Sequence, residues 1–194
     1  MPKNNNREYR AMQAMQADEE KEYRVSGYAS TFDPYLMYSF DGVDYYERID
    51  PHAFDNADLS DVIMQYDHSG RVFARTGKGL ELSIDDHGLK VDADLSLSSR
   101  AKDLYEDIKA GLINKMSFAF TVAEDGYDRD THTRIVYKVK KVYDVSAVSI
   151  PANEGTDISA RSYFDGVIKS EQAERLERAR KLLQLKIKTR RFQK

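Results

Sequence analysis

Residues 114–122 read NKMSFAFTV, and the order of small and large side chains in that stretch sets the class of the fold. Met116, Phe118, Phe120 and Val122 alternate with Ser117, Ala119 and Thr121. A period of two is the mark of a strand, because successive side chains point to opposite faces. One face is bulky and apolar, the other small and slightly polar. Taken alone, the stretch is also an ordinary half-buried strand with a filler serine.

Working outward, most of the chain reads the same way. Strand-like runs occupy residues 8–16 and 22–31, joined by the acidic turn Ala17-Asp18-Glu19-Glu20. Residues 61–66, DVIMQY, form a buried-type strand that ends at Asp67-His68-Ser69-Gly70. Residues 79–84 and 88–95 flank Asp85-Asp86-His87-Gly88, a hairpin turn with Gly at its tight position. Residues 134–141 and 142–150 read as two more strands, the second ended by Pro151. Residues 1–7 read as disordered, and 32–45 and 124–133 as loops. Asp50-Pro51-His52-Ala53-Phe54 reads as a helix start, with Asp50 as N-cap and Pro51 at the first position. Ser98 and Ser99 offer a cap for a helix whose apolar side is Ala101, Leu104, Tyr105, Ile108 and Leu112, with Gly111 as its stop. Many short strands with one clear helix, then a second helix in the tail, predict an α+β chain that is mainly β: an antiparallel barrel-like domain with a few helices.

Composition narrows the chemistry. The chain has 194 residues, 41% hydrophobic and 32% charged, within the range of a soluble globular protein. Thirteen tyrosines and eight phenylalanines favour β structure. With no cysteine, disulfides, zinc–thiolate sites and thiol nucleophiles are excluded, which fits a reducing cytoplasm. No apolar run approaches a membrane span, and the polar start MPKNNNREYR resembles no signal peptide. From Asp165 onward ten Lys or Arg face four Asp or Glu, a charge of +6, which leaves −9 for residues 1–164. An acidic body lacks the basic stripe that phosphate binding needs, so nucleic acid is not an expected partner. A basic tail suits an acidic partner.

Three positions stand out. His68 lies where an apolar strand meets Ser-Gly, a place for a catalytic or a capping histidine. Asp144 lies in 142–150, where the other eight residues are apolar, aromatic or Ser; buried there, it needs a hydrogen-bonding partner. At an edge it needs none. Ser117 is the third. His52, His87 and His132 read as surface or turn residues. No two histidines are closer than 16 positions and H-E-x-x-H is absent, so neither a metal nor another cofactor is expected. Gly-x-Ser-x-Gly is also missing.

The same positions sit in blocks that resemble the prohead proteases of tailed bacteriophages, the serine proteases of capsid maturation. Glu47-Arg48-Ile49-Asp50-Pro51-His52-Ala53-Phe54 is similar to E-x-I-x-P-G-A-F, and Asp67-His68 to the histidine block. Asp86-His87-Gly88-Leu89 is similar to D-x-G-L. Residues 108–120, IKAGLINKMSFAF, are similar to I-x-x-G-x-I-x-x-x-S-F-G-F, and 144–153, DVSAVSIPAN, to E-V-S-x-V-x-x-P-A-N. The blocks occur in the family's order between Tyr23 and Ala160. His52 and Ala119 replace glycines, and Asp144 is the shorter acid.

The resemblance implies a barrel ringed by helices, similar to herpesvirus capsid proteases. It implies His68 as general base, Ser117 as nucleophile and Asp144 as the acid, and it implies self-cleavage. Asp67 is a poor rival to Asp144, since neighbours in extended chain point to opposite sides. A backbone N–H in 151–155 is the expected oxyanion donor. The implied substrates are the phage major capsid protein precursor and scaffold, cut as extended peptide inside the assembling prohead in the host cytoplasm. A homo-oligomer is left open, and no membrane is implied. The alternative is a non-catalytic barrel serving as scaffold or assembly chaperone. The expected domains are 8–163, the protease, and 164–194, a basic amphipathic helical tail. Within that tail Ala173, Leu176, Leu183 and Ile187 line one stripe, widened by Leu182 and Leu185.

Overall fold

The computed structural model describes residues 7–13, 15–149 and 158–192. The disorder expected of residues 1–7 therefore falls, Arg7 aside, outside the described residues, as does the oxyanion donor expected in 151–155. The described residues fold into eleven strands, two α-helices and a short 3-10 turn at Leu95–Leu97. It is mainly β, as the alternating runs predict.

The longest ladder holds the opening stretch. Strand β10 (Lys115–Asp128) pairs antiparallel with β11 (Thr133–Val148), and their connecting turn is only residues 129–132. The loop expected over 124–133 is thus mostly strand, and the two strands expected over 134–150 are one. Register shifts between Ala119 and Asp125 bend this ribbon. Such bulges let one long ladder curl without breaking.

On the far side of β10 lies β1 (Glu8–Gln13), antiparallel. On the far side of β11 lies β6 (Ile63–Tyr66), parallel. The path continues through β7 (Ser69–Thr76), β8 (Gly79–Ile84), β9 (Gly88–Asp94) and β3 (Arg24–Thr31) to β2 (Met15–Ala17). One residue separates β1 from β2 in the chain, so the two ends of the sheet path are consecutive in sequence. That continuity curls the sheet into a barrel-like wall. The sheet is mixed rather than purely antiparallel: β11 runs parallel to β6 and to β5 (Val43–Ile49), and β7 parallel to β8.

The expected loop over 32–45 is largely a hairpin, β4 (Tyr35–Phe40) with β5. Its turn is Asp41-Gly42, both at positive φ (50° and 76°), the dipeptide that two-residue hairpins favour. Its many polar side chains had masked that signal. The helix expected from Asp50 is a run of turns through Asn56 instead. Asp50 does cap, accepting from the His52 N–H at 3.0 Å. The Ala53 carbonyl, however, is taken by the Val139 N–H at 2.8 Å, so pairing with β11 displaces the helical bond.

Helix α1 (Ser99–Lys109) is capped by the Ser98 hydroxyl and buries Ala101, Leu104, Tyr105 and Ile108. Leu112, placed on that face by periodicity, is 75% exposed, because Gly111 at φ 74° has already turned the chain away. Helix α2 (Ile158–Phe192) begins against the sheet: Phe164 and Ile168 are buried with Met37 and Tyr45. Burying a large apolar side chain is worth about 1.5–3 kcal/mol, enough to anchor the first turns. From Leu176 to Ile187 its leucines and isoleucine are exposed.

Gly88 has a reason other than turn geometry. It pairs with Thr31 at the end of β3, just past the Tyr28–Ser30 bulge, and a Cβ there would collide with the Ser30 carbonyl oxygen. Gly88→Ala is expected to destabilise by about 1–3 kcal/mol, the usual cost of overpacking, seen as a lower urea midpoint. An unchanged midpoint would contradict that account.

Candidate active site

Met116, Phe118 and Phe120 point into the main core, so Ser117 and Ala119 point to the opposite face of β10. Register then decides their neighbours. Ser117 stands opposite Ser146, and Ala119 opposite Asp144, both on β11. Asp144 and Ser146 therefore share the face of Ser117, one strand away.

His68 reaches that face from a turn. Tyr66 pairs with Ser69, so Asp67 and His68 form a two-residue hairpin turn between β6 and β7. Both are left-handed, at φ 47° and 54°. Two consecutive positive φ values make the primed turn that fits strand twist. Asp and His enter this region more readily than most side chains, yet each such residue still costs on the order of 1 kcal/mol or more. Three hydrogen bonds hold the turn to β11 and its end. The Asp67 N–H donates to the Ala147 carbonyl at 2.9 Å. The Asp67 carboxylate accepts from the Ser149 N–H at 3.0 Å and the Ser149 hydroxyl at 2.9 Å.

The result is one hydrogen-bonded chain. His68 Nε2 lies 2.6 Å from Ser117 Oγ. His68 Nδ1 lies 2.5 Å from Asp144 Oδ1. The Ser146 hydroxyl donates to the same Oδ1 at 2.8 Å. Ser117 and Asp144 are 1% and 4% exposed, so the carboxylate is buried and paired rather than at an open edge. Tyr9 of β1 packs its ring edge-on against the imidazole, centroids 4.7 Å apart. With Nδ1–H donated to Asp144, Nε2 is the acceptor for the serine proton. Such an arrangement can activate a hydroxyl for attack on a carbonyl.

The structure thus brings together His68, Ser117 and Asp144, and keeps the other histidines apart from them. His52 is exposed beside Asp55, His87 packs on Tyr28, and His132 meets the Tyr127 hydroxyl at 3.0 Å. Sequence reasoning did not single out Ser146 or Tyr9. Ser146 was legible as the residue two beyond Asp144 on one strand face. Tyr9 was not, because only the pairing of β1 with β10 places it there. Among the described residues no cluster of three His, Asp or Glu is placed to hold a metal ion. No described helix is long and apolar enough to cross a membrane.

Comparison with known proteins gives two matches. A family model described as caudovirus prohead serine protease matches residues 10–169. The prohead protease of Enterobacteria phage HK97 is 32% identical over 145 residues, covering 73% of this chain and 61% of that protein. The chain thus spans under two thirds of that relative's length. No solved structure matches it.

Proposed function

This chain belongs to the caudovirus prohead serine protease family, and we propose that it is a serine endopeptidase of phage capsid maturation. Its substrates in this reading are the major capsid precursor, the scaffold and its own chain, met inside the prohead in the host cytoplasm. The observation that carries the reading is the 2.6 Å contact between Ser117 Oγ and His68 Nε2. The chain order His, Ser, acid and the curled sheet also suit kinship with herpesvirus capsid proteases.

Ser117 attacks the scissile carbonyl as His68 takes its proton at Nε2. The imidazolium then gives that proton to the leaving amine. Asp144 keeps Nδ1–H pointed inward and stabilises the imidazolium, and Ser146 fixes the carboxylate. In the second half, His68 takes a proton from water as the water oxygen attacks the acyl carbon, then gives that proton to Ser117 Oγ as the acyl–oxygen bond breaks and the new carboxyl end departs. A barrel kept only for scaffolding or chaperoning has no need of a serine and a histidine in hydrogen-bond reach, so the geometry favours the enzyme.

The test is incubation of the purified protein with the capsid precursor of its own phage, alongside labelling by a fluorophosphonate. Discrete cleavage products and one adduct, on Ser117 and lost on denaturation, are expected. A folded protein that cuts nothing and takes up no label would refute the assignment.

The tail enters as a second part of the proposal: the exposed length of α2 docks on an acidic assembly partner. Leu176, Leu182, Leu183, Leu185 and Ile187 are solvent-exposed, while Phe164 and Ile168 are buried against the sheet. Deletion from residue 176 onward is expected to leave the melting temperature and short-peptide cleavage near wild type. Incorporation into assembling shells should be lost, and binding of the intact tail should weaken with salt. A truncated protein that unfolds, or loses peptide cleavage, assigns this segment to the core instead.

A further inference from the structure

We propose that Asp67 is a positioning residue for the candidate base, holding His68 in line between Ser117 and Asp144; this rests on the protease reading above. The His68 turn is short and carries two left-handed residues in succession. After it, β7 bulges: Tyr66 pairs with Ser69 and Met64 with Ala74, so the four residues Gly70 to Phe73 stand against Gln65 alone. Regular pairing to β6 is therefore interrupted just beyond the turn. The bracing comes from β11 instead, through Asp67.

The three bonds of Asp67 have a clear geometry. Its N–H reaches the Ala147 carbonyl, and its two carboxylate oxygens take the N–H and hydroxyl of Ser149. Ala147 and Ser149 lie just beyond Asp144 and Ser146 on the same stretch of chain. The clamp therefore ties the histidine to the segment that carries its acid. A carboxylate gripping one residue by two donors fixes both the distance and the orientation of the turn. Asp67 and Ser149 are both exposed, so these bonds contribute little to stability. Their consequence is alignment, where a shift of about 1 Å can cost a hundredfold in rate.

Two substitutions separate alignment from folding. Asp67→Gly keeps the left-handed backbone easy but removes the clamp. Asp67→Asn keeps one acceptor oxygen and tolerates the same φ. With a short peptide substrate and the full chain, Asp67→Gly is expected to lower kcat about 10–100-fold, to leave KM within about twofold, and to leave the melting temperature nearly unchanged. Asp67→Asn should restore most of kcat, and Ser149→Ala should fall between. The downfield proton resonance of His68 Nδ1–H reports the same alignment without turnover; it should broaden in Asp67→Gly and persist in Asp67→Asn.

If wild-type protein cleaves and Asp67→Gly matches it in kcat and resonance, the positioning role is wrong. It is equally wrong if Asp67→Asn is as impaired as Asp67→Gly. Should Asp67→Gly fail to fold, Ser149→Ala decides from the other side of the clamp: unchanged kcat and resonance overturn the proposal. Wild-type protein that never cleaves strikes the protease reading, while the resonance still tests the clamp.

Discussion

Ser117→Ala is expected to lower peptide cleavage by roughly 10⁴–10⁶-fold, the loss seen when one member of a serine–histidine unit is removed. The substitution deletes one oxygen from a row of small residues, Ser117 beside Ala119 and Ser146. His68 keeps Asp144 as a partner, and its side chain is 18% exposed, so water can replace the lost hydroxyl. Stability should change by no more than about 1 kcal/mol. His68→Ala should be as damaging, and the double variant no worse than either single one. A hydroxyl without its base and a base without its hydroxyl fail the same step. Asp144→Asn should cost less than either, unless the amide traps the wrong imidazole tautomer. His87→Ala and His132→Ala should act like wild type. Initial rates on one peptide with all six variants decide the matter. Multiplicative losses in the double variant, or a larger loss from His87 or His132, would overturn the assignment of the base.

Glu47→Gln is expected to be the most destabilising conservative change in the described core. Glu47 is fully buried and accepts four hydrogen bonds. They come from Arg10 Nε at 2.5 Å, Arg10 Nη2 at 2.7 Å, Arg134 Nη1 at 2.9 Å and the Tyr35 hydroxyl at 2.5 Å. Arg134 also binds Glu8 through both terminal nitrogens and Asp125 through Nε. Burial alone would raise the Glu47 carboxyl, but Arg10, Arg134 and the Tyr35 hydroxyl hold it below its ordinary value.

Removing that charge leaves two buried guanidinium groups short of an anion, a fault that costs about 3–5 kcal/mol. In a chain of this size that is on the order of 10 °C in melting temperature. The pH dependence follows from the direction of the shift. A depressed carboxyl contributes stability that is fully present above its unfolded value, about 4.3, and is lost as pH falls through the folded value. Wild type should therefore lose stability on acidification over a range in which Glu47→Gln loses less. Melting curves from neutral to acid pH measure both. A variant melting within a degree or two of wild type would show that the charge is dispensable.

This network also bears on the candidate site. Glu8 and Arg10 point inward from β1, while Tyr9 points outward to His68. A slip of one residue would exchange the faces, so the buried charges hold β1 in the register that sets Tyr9 on the imidazole.

Local pattern carried much of this molecule in advance. Strand β8 has the bounds that its alternation predicts, and β9 ends one residue short of them. Helix α1 starts at the cap offered by Ser98 and stops before Gly111. These elements depend on neighbours in sequence: alternation, caps and turn residues act over a few positions. The small and bulky faces of 116–122 likewise followed from period two alone. Strand β7 escaped notice because most of it is exposed, so it has no alternation to read.

What sequence by itself determined, then, is the type of those elements with a clear local pattern, and which residues are the candidates for chemistry. The distances among them came only with the tertiary structure. Ser117, His68 and Asp144 are 49 and 76 positions apart in their two contacts, and Glu8 meets Arg134 across 126. Contacts at that range are set by ladder register and by the curling of the sheet, which no short window of sequence encodes. Whether Asp144 stood at an open edge or buried beneath an imidazole was such a question. Parallel pairing of β6 with β11 answered it, because only that pairing carries the His68 turn over the carboxylate.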